Sequence, residues 1–303
     1  MPHTVKNFRN FYRKTELPWY YSGIFHLVFA VTILSSAAIW HATQIHSVSM
    51  TLGIAALIIF LIGNIVEYIL HRYPLHNVMR GCKEIFKIHS KQHHQYFTNQ
   101  AMDFETSRDF RLVFFPIWSP VLLVVASSAL SYYVLSPLLS PEIGHLFGVM
   151  APLYLLIYEM MHLCYHLNEK NRLTRLPGIC FLRLHHVIHH DLRLMNKYNF
   201  NLTLPMCDWL CGTLYPKIET MSYPPWLKIV PILSWAFILY GFLISIESQW
   251  LLVCWWLNMI VTPGLHLIEL YWALPIAKKA GYSAAYSVFM TLFLGATWWK
   301  PLS

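Results

Sequence analysis

Residues 48–76 read VSMTLGIAALIIFLIGNIVEYILHRYPLH. From Val48 to Leu70 the only charge is Glu67, and one helical crossing of a bilayer needs roughly 20 predominantly apolar residues. The run reads as a membrane span, and it ends on two histidines, His71 and His76. Composition extends that reading to the whole chain. Of 303 residues, 12% are charged, 56% hydrophobic and 16% aromatic, whereas soluble domains carry about 25% charged residues. A disordered chain, a solvated coiled coil and a water-facing globule all fit these figures poorly. The expected fold class is an all-α, multi-pass membrane protein.

No charge occurs between Glu16 and Glu67, which leaves room for a span at Tyr20–Trp40 ahead of the one at Val48–Leu70. Leu112–Leu139 and Ile143–His162 form a second apolar pair. Ile229–Ile246 and Trp250–Ile268 form a third, divided at Glu247, and a weaker apolar run follows at Tyr282–Trp299. The expected organisation is an N-terminal segment with the first span (1–47), a core built on four membrane helices (48–226 with the first span), and extra C-terminal membrane helices (227–303). Residues 1–19 are too polar for a cleaved signal peptide, so the first span is expected to act as an uncleaved anchor.

Lys and Arg favour the cytoplasmic side of short loops. Nearly all of them lie before residue 15, between Arg72 and Arg111, or between Lys170 and Lys228, and none lies in the short connecting turns. The N-terminus and both long polar segments are therefore expected on the cytoplasmic face, of either a bacterial inner membrane or the endoplasmic reticulum. The net charge of +8 is accounted for by anionic headgroups at that face, with no nucleic-acid partner. Cys82, Cys180, Cys207 and Cys211 fall on the same side, where disulfides are not expected.

Histidine is the second anomaly: 17, against 14 Asp and Glu together. Four groups stand at span ends or in the polar segments: His71 and His76; His89, His93 and His94; His162 and His166; His185, His186, His189 and His190. A topology drawn from basic residues alone brings all four to one surface. His162 and His166 share a helix face, as do His186, His189 and His190 if their segment is helical, and His89 with His93 in the same way. Five residues separate His71 from His76, which would point them about 140° apart on an unbroken α-helix; Pro74 is expected to end the helix and let His76 turn back. Neutral imidazole suits iron, zinc, copper and nickel. His71, His76, His89, His93, His94, His162, His166, His186, His189 and His190 are too many for one ion and enough for two. His185 duplicates a position that His186 already fills. Glu67, Glu159, Asp191 and Asp208 are placed to orient imidazoles as acceptors or to join the ligands themselves. The remaining histidines, His3, His26, His41, His46, His145 and His266, read as hydrogen-bonded structural residues.

These motifs resemble the fatty acid hydroxylase and sterol desaturase superfamily of membrane di-metal oxygenases. Glu67-Tyr68-Ile69-Leu70-His71-Arg72 with His76, and Tyr158-Glu159-Met160-Met161-His162 with His166, resemble the fatty acid 2-hydroxylase branch in particular. His186-Val187-Ile188-His189-His190, then Asn199-Phe200-Asn201 and Asp208-Trp209-Leu210-Cys211-Gly212-Thr213, are similar to the end of that family's catalytic domain. The box His89-Ser90-Lys91-Gln92-His93-His94 carries one residue more between His89 and the pair than the 2-hydroxylase pattern. The resemblance covers about residues 50–215. It implies an O2-dependent di-iron hydroxylase acting on a lipid acyl or alkyl chain, with a histidine-rich cytoplasmic cap and zinc able to replace iron in a purified sample. Electrons would come from a separate cytochrome b5-like or ferredoxin-like protein.

Desaturation and alkylglycerol monooxygenation use the same scaffold, and the C-terminal extension is similar to the alkylglycerol branch. A divalent-metal transporter would place its ligands near mid-bilayer in discontinuous helices, whereas these lie at span ends. A bis-histidine haem protein would need fewer.

Overall fold

The computed structural model describes residues 3–47, 49–215 and 228–302. Val48, where the second span was expected to start, and the expected boundary at 226/227 lie outside them, as does the side chain of His3. Among the described residues the chain is helical, with a single isolated β-bridge between Thr98 and Ala101.

The chain divides into two compact units, Met1–Ile45 with Ile58–Pro216, and His46–Leu57 with Lys217–Ser303. In the first, α1 (His3–Thr15) precedes α2 (Gly23–Thr43), which starts where the Ser22 hydroxyl accepts from the Phe25 amide. α3 (Met50–Leu70) belongs to this unit from Ile58 onward. Then follow α4 (Lys83–Phe86), α5 (His94–Tyr96), α6 (Phe110–Val113), α7 (Ser119–Leu130) and α8 (Ser136–Leu138). α9 (Pro141–Tyr165), α10 (Pro177–His189) and α11 (Met206–Leu210) complete it. α9 packs on α2, α7 and α10. Gly148 permits the α2 approach: a Cβ there would sit 2.3 Å from the His41 ring, which itself bonds His145 and Ser128. Small residues admit such close crossings in a membrane, where lipid offers no hydrophobic drive between helices.

Three π-helical turns interrupt the α pattern of this unit, at His71–Leu75, Lys87–His93 and Ser131–Leu135. The first corrects the expectation for Pro74. Instead of ending the helix, the proline sits inside a widened turn that runs to Leu75 and is capped at His76. A π-turn closes i→i+5 hydrogen bonds, so residues five apart come to one side.

In the second unit α12 (Ile229–Leu243), α13 (Gln249–Lys279), α14 (Ala284–Leu294) and α15 (Ala296–Trp299) pack together, with α13 at the centre. Among the described residues five helices are long and apolar enough to cross a membrane: Gly23–Thr43, Met50–Leu75, Ser119–Leu138, Pro141–Tyr165 and Gln249–Lys279. These support an integral membrane protein. Two apolar runs form helices shorter than the runs themselves. α12 turns extended at Ile244, and its 15 residues reach only about 22 Å of the roughly 30 Å hydrocarbon core. The run from Tyr282 is broken at Gly295, whose φ of 55° ends α14. α13, conversely, runs past Ile268 with Glu269 half-buried, where it takes the indole N–H of Trp299 at 3.4 Å beside His266.

Candidate metal centre

The ten box histidines gather as two buried sets of five. His71, His76, His89, His94 and His189 form the first, and His93, His162, His166, His186 and His190 the second; within each, one nitrogen per ring lies within 4.8 Å of all the others. The sets abut, with the His94 and His190 rings stacked at 4.3 Å. Local helix type decides the pairing. In the π-turns, histidines five apart share a set: His71 with His76, rings 5.0 Å apart, and His89 with His94, rings 4.8 Å apart. In the α-helical segments those four apart do: His162 with His166 and His186 with His190. The expectation that His89 and His93 share a face is corrected on this ground. Their rings stack at 5.1 Å, but they face different sets, and His186 and His189, also expected on one face, likewise divide between the two sets. The extra residue in this box is taken up by the π-turn.

Whether these rings suit a cation can be decided from their outer nitrogens. His93 Nδ1 donates to the Leu112 carbonyl at 2.7 Å, and His190 Nδ1 to the Phe97 carbonyl at 2.6 Å. A carbonyl only accepts, and a neutral imidazole carries one proton. Both Nε2 atoms, 3.1 Å apart, are therefore bare lone pairs aimed at each other. Such a pair is repulsive by itself and becomes favourable when it shares a cation. His76 and His189 repeat the arrangement in the first set, with Nε2 atoms 3.0 Å apart and Nδ1 atoms directed at Asn196 Oδ1 and the Tyr198 carbonyl. His71 Nδ1 bonds the Phe200 carbonyl, and His166 Nδ1 the Met102 carbonyl at 2.8 Å. Two nitrogens bound to one ion at about 2.1 Å, at tetrahedral or octahedral angles, lie about 3.0–3.4 Å apart. The closest Nε2 pairs here span 2.9–3.4 Å.

The rings are held neutral, as ligands must be. Burial, then neighbouring imidazoles, keeps His89, His93, His94, His166, His186 and His190 well below the ordinary histidine range. Burial likewise lowers His76 to about 2 and His189 to about 4. Ten neutral imidazoles in two adjacent sets are suitable for a di-metal site.

The four carboxylates are placed differently from expectation. None accepts from any of these ten rings among the described hydrogen bonds; backbone carbonyls do so instead, because the non-helical segments and, at Leu112, the helix end carrying them leave their acceptors open. Asp208 accepts from the Phe200 amide at 2.8 Å, the Asn201 amide at 2.7 Å and the Thr213 hydroxyl at 2.8 Å. Glu67 accepts from the amides of Leu202 and Thr203, and from the Thr203 and Tyr154 hydroxyls at 2.5 Å each. Both acids therefore fix the segment that presents the Phe200 carbonyl to His71. Glu159 takes the Phe115 amide at 3.1 Å, and Asp191 binds Arg193 and Asn99. His185 stands outside both sets, its Nε2 3.3 Å from Asp208 Oδ2 but poorly aligned for a hydrogen bond. His26, His41 and His266 are buried on hydrogen bonds of their own, and His46 is exposed.

Sequence reasoning missed Asn196, Tyr154, Thr203 and the carbonyls of Phe97, Met102, Leu112 and Tyr198. Nothing in a sequence marks a carbonyl as an acceptor. An apolar groove between spans leading to the metals was expected, but not its walls: a cavity of about 520 Å3 lies in the first unit between α3, α7 and α9, from Ile59, Phe60, Leu130 and Phe147 up to Glu67, Tyr158 and His71.

The family model described as fatty acid hydroxylase matches residues 56–213, just over half of the chain. No curated protein and no solved structure matches the chain. The matched stretch contains every ring of both sets. The chain thus belongs to the fatty acid hydroxylase family as a membrane di-metal histidine enzyme, and an oxidoreductase activity follows from that membership.

Proposed function

We propose that the protein is an O2-dependent di-iron hydroxylase that inserts oxygen into an aliphatic C–H bond of a membrane lipid's acyl or alkyl chain, nearest in its boxes to the fatty acid 2-hydroxylases. The observation that carries this reading is the cavity: a wall of apolar side chains with His71 of the first set at one end. From Ile59 to His71 the α3 backbone rises about 18 Å, room for a long stretch of hydrocarbon.

A saturated C–H bond has no acidic proton and no leaving group, so no polar side chain can functionalise it; bound iron would supply the activation of O2 that this requires. The protein's own residues do the positioning. α3, α7 and α9 hold the chain straight and exclude water, and the depth between the Phe60–Phe147 floor and His71 selects the carbon that reacts. Tyr154 and Glu67 line the same wall but bond each other at 2.5 Å, so they present little free polarity to hydrocarbon. The overall balance is R–H plus O2, two electrons and two protons giving R–OH and water. The electrons would come from a separate cytochrome b5-like or ferredoxin-like protein on the cytoplasmic face, where the basic segments lie.

The test is lipid mass spectrometry of cells expressing the wild type, His162→Ala or His189→Ala, with metal content measured on the purified proteins. A lipid gaining one oxygen in wild-type cells only is the expected result. Unchanged lipid with a fully metal-loaded wild type, or unchanged hydroxylation in either variant, would overturn the proposal. A loss of two hydrogens would reassign the reaction to desaturation. Zinc in the purified protein is compatible with the reading, since its affinity for such sites exceeds that of ferrous iron.

A further inference from the structure

Arg9 lies on α1, well before the segment matched to the family, yet its side chain is 1% exposed. Nε donates to the Tyr96 carbonyl at 2.9 Å, Nη2 to the Ala101 carbonyl at 2.7 Å, and Nη1 meets Glu105 at 3.2 Å. The guanidinium also stands 4.9 Å from the Tyr96 ring centre and 5.4 Å from that of Phe97. A buried cation spread over two carbonyls that lie five residues apart fixes the stretch between them.

That stretch frames the second histidine set. Phe97 gives its carbonyl to His190 and packs its ring 4.2 Å from that of His166. Met102, next to Ala101, gives its carbonyl to His166. The outer partners of the first set come from 196–200 and, at His76, also from Ser90 Oγ at 3.3 Å. We propose that Arg9 is a positioning residue for the second set alone, holding the Phe97 and Met102 carbonyls where they aim His190 and His166. The proposal rests on reading both sets as metal sites. Lysine cannot replace this arginine in full, because a single ammonium cannot present the planar fork that reaches two separate carbonyls and a carboxylate at once.

The test uses the full chain in detergent, stripped of metal and titrated with Co2+ while the ligand-field absorption is followed. Wild type should bind two ions. Arg9→Met should bind one as wild type does and the other roughly 10–100-fold more weakly, the usual effect of removing a group that orients a ligand; Arg9→Lys should fall between. In a His166→Ala background Arg9→Met should change nothing further, whereas in a His71→Ala background it should weaken the ion that remains. Equal binding of both ions by Arg9→Met and wild type, or parallel weakening of both ions in Arg9→Lys, overturns the assignment. If Arg9→Met fails to fold, the lysine variant and its two backgrounds decide the matter. A wild type that binds fewer than two ions overturns the two-site reading, and the assignment with it.

Discussion

The two histidine sets are built from the same ring chemistry but differ in what holds them and in what they face. The first takes its described outer acceptors chiefly from 196–200, a stretch fixed from behind by Asp208 on the Phe200 and Asn201 amides and continued by the Leu202 and Thr203 amides on Glu67. The second takes its acceptors from Leu112 and from Phe97 and Met102, the last two in or beside a stretch gripped at the Tyr96 and Ala101 carbonyls by Arg9. Anions pin N–H groups in one frame, and a cation pins C=O groups in the other. Only the first set contributes a ring to the apolar cavity wall, His71. The lesson is a division of labour: the apolar cavity reaches the first set, while the second is enclosed by backbone and by α1.

Neighbouring residues give the harshest test of that division. His189 and His190 are consecutive but belong to opposite sets. Replacing either by alanine should lower product formation by more than about 100-fold, since outer-shell losses alone are worth 10–100-fold. Metal analysis should find one ion lost in each case. Loss of both ions from both variants would show that the sets are a single cooperative unit and would end the comparison.

Acid tests what the two frames share. Burial lowers the folded-state pKa of His189 to about 4 from an ordinary 6.5. As pH falls below 6.5 the unfolded chain takes up a proton that the folded chain refuses, so stability declines until pH reaches about 4. For His189 alone the metal-free protein should lose about 2 kcal/mol between pH 7 and pH 5, and the other cap histidines shift in the same direction. Denaturant midpoints on apoprotein across that range should fall steadily; a flat profile would mean the rings are not held neutral.

A smaller effect separates substrate delivery from metal binding. Ala151 lines the cavity on α9, midway between Phe147 and Tyr158. Ala151→Phe should block long chains and reduce their conversion roughly 10-fold, within the range a few methylenes decide in an apolar pocket, and leave both ions in place. Product profiles by chain length, with metal content alongside, will show it. Equal conversion of long and short chains would detach the cavity from the reaction.

The membrane class and all ten rings were legible because they depend on local quantities: a run of uncharged residues, and histidines at helical spacing. What was not legible depends on packing. Consecutive residues on an α-helix diverge by about 100°, yet His189 and His190 were expected on one face with His186, and they divide between the sets. The π-turns at His71–Leu75 and Lys87–His93 moved the pairing from four residues to five. The acids were expected on the rings because carboxylates commonly orient metal-binding imidazoles; here the chain has open carbonyls closer to hand. Glu269 did not end α13, as a charge facing lipid would, because Trp299 folds back onto it.

The subtlest change is the counterpart of Arg9 in the other frame. Asp208 is fully buried and accepts from two amides and a hydroxyl. Asp208→Asn keeps the shape but exchanges one accepting oxygen for an NH2 group, which must then face the N–H of Phe200 or Asn201 as donor against donor. One buried amide left without an acceptor costs about 1–3 kcal/mol, and the Phe200 carbonyl that steadies His71 shifts with it. The thermal midpoint should fall by several degrees, and the first-set ion should bind about tenfold more weakly while the second is untouched. The two variants thus form a crossed pair, Arg9→Met acting on one ion and Asp208→Asn on the other. If Asp208→Asn weakened the second ion instead, the two frames would be one continuous scaffold, and the cavity would be the sole difference between the sets.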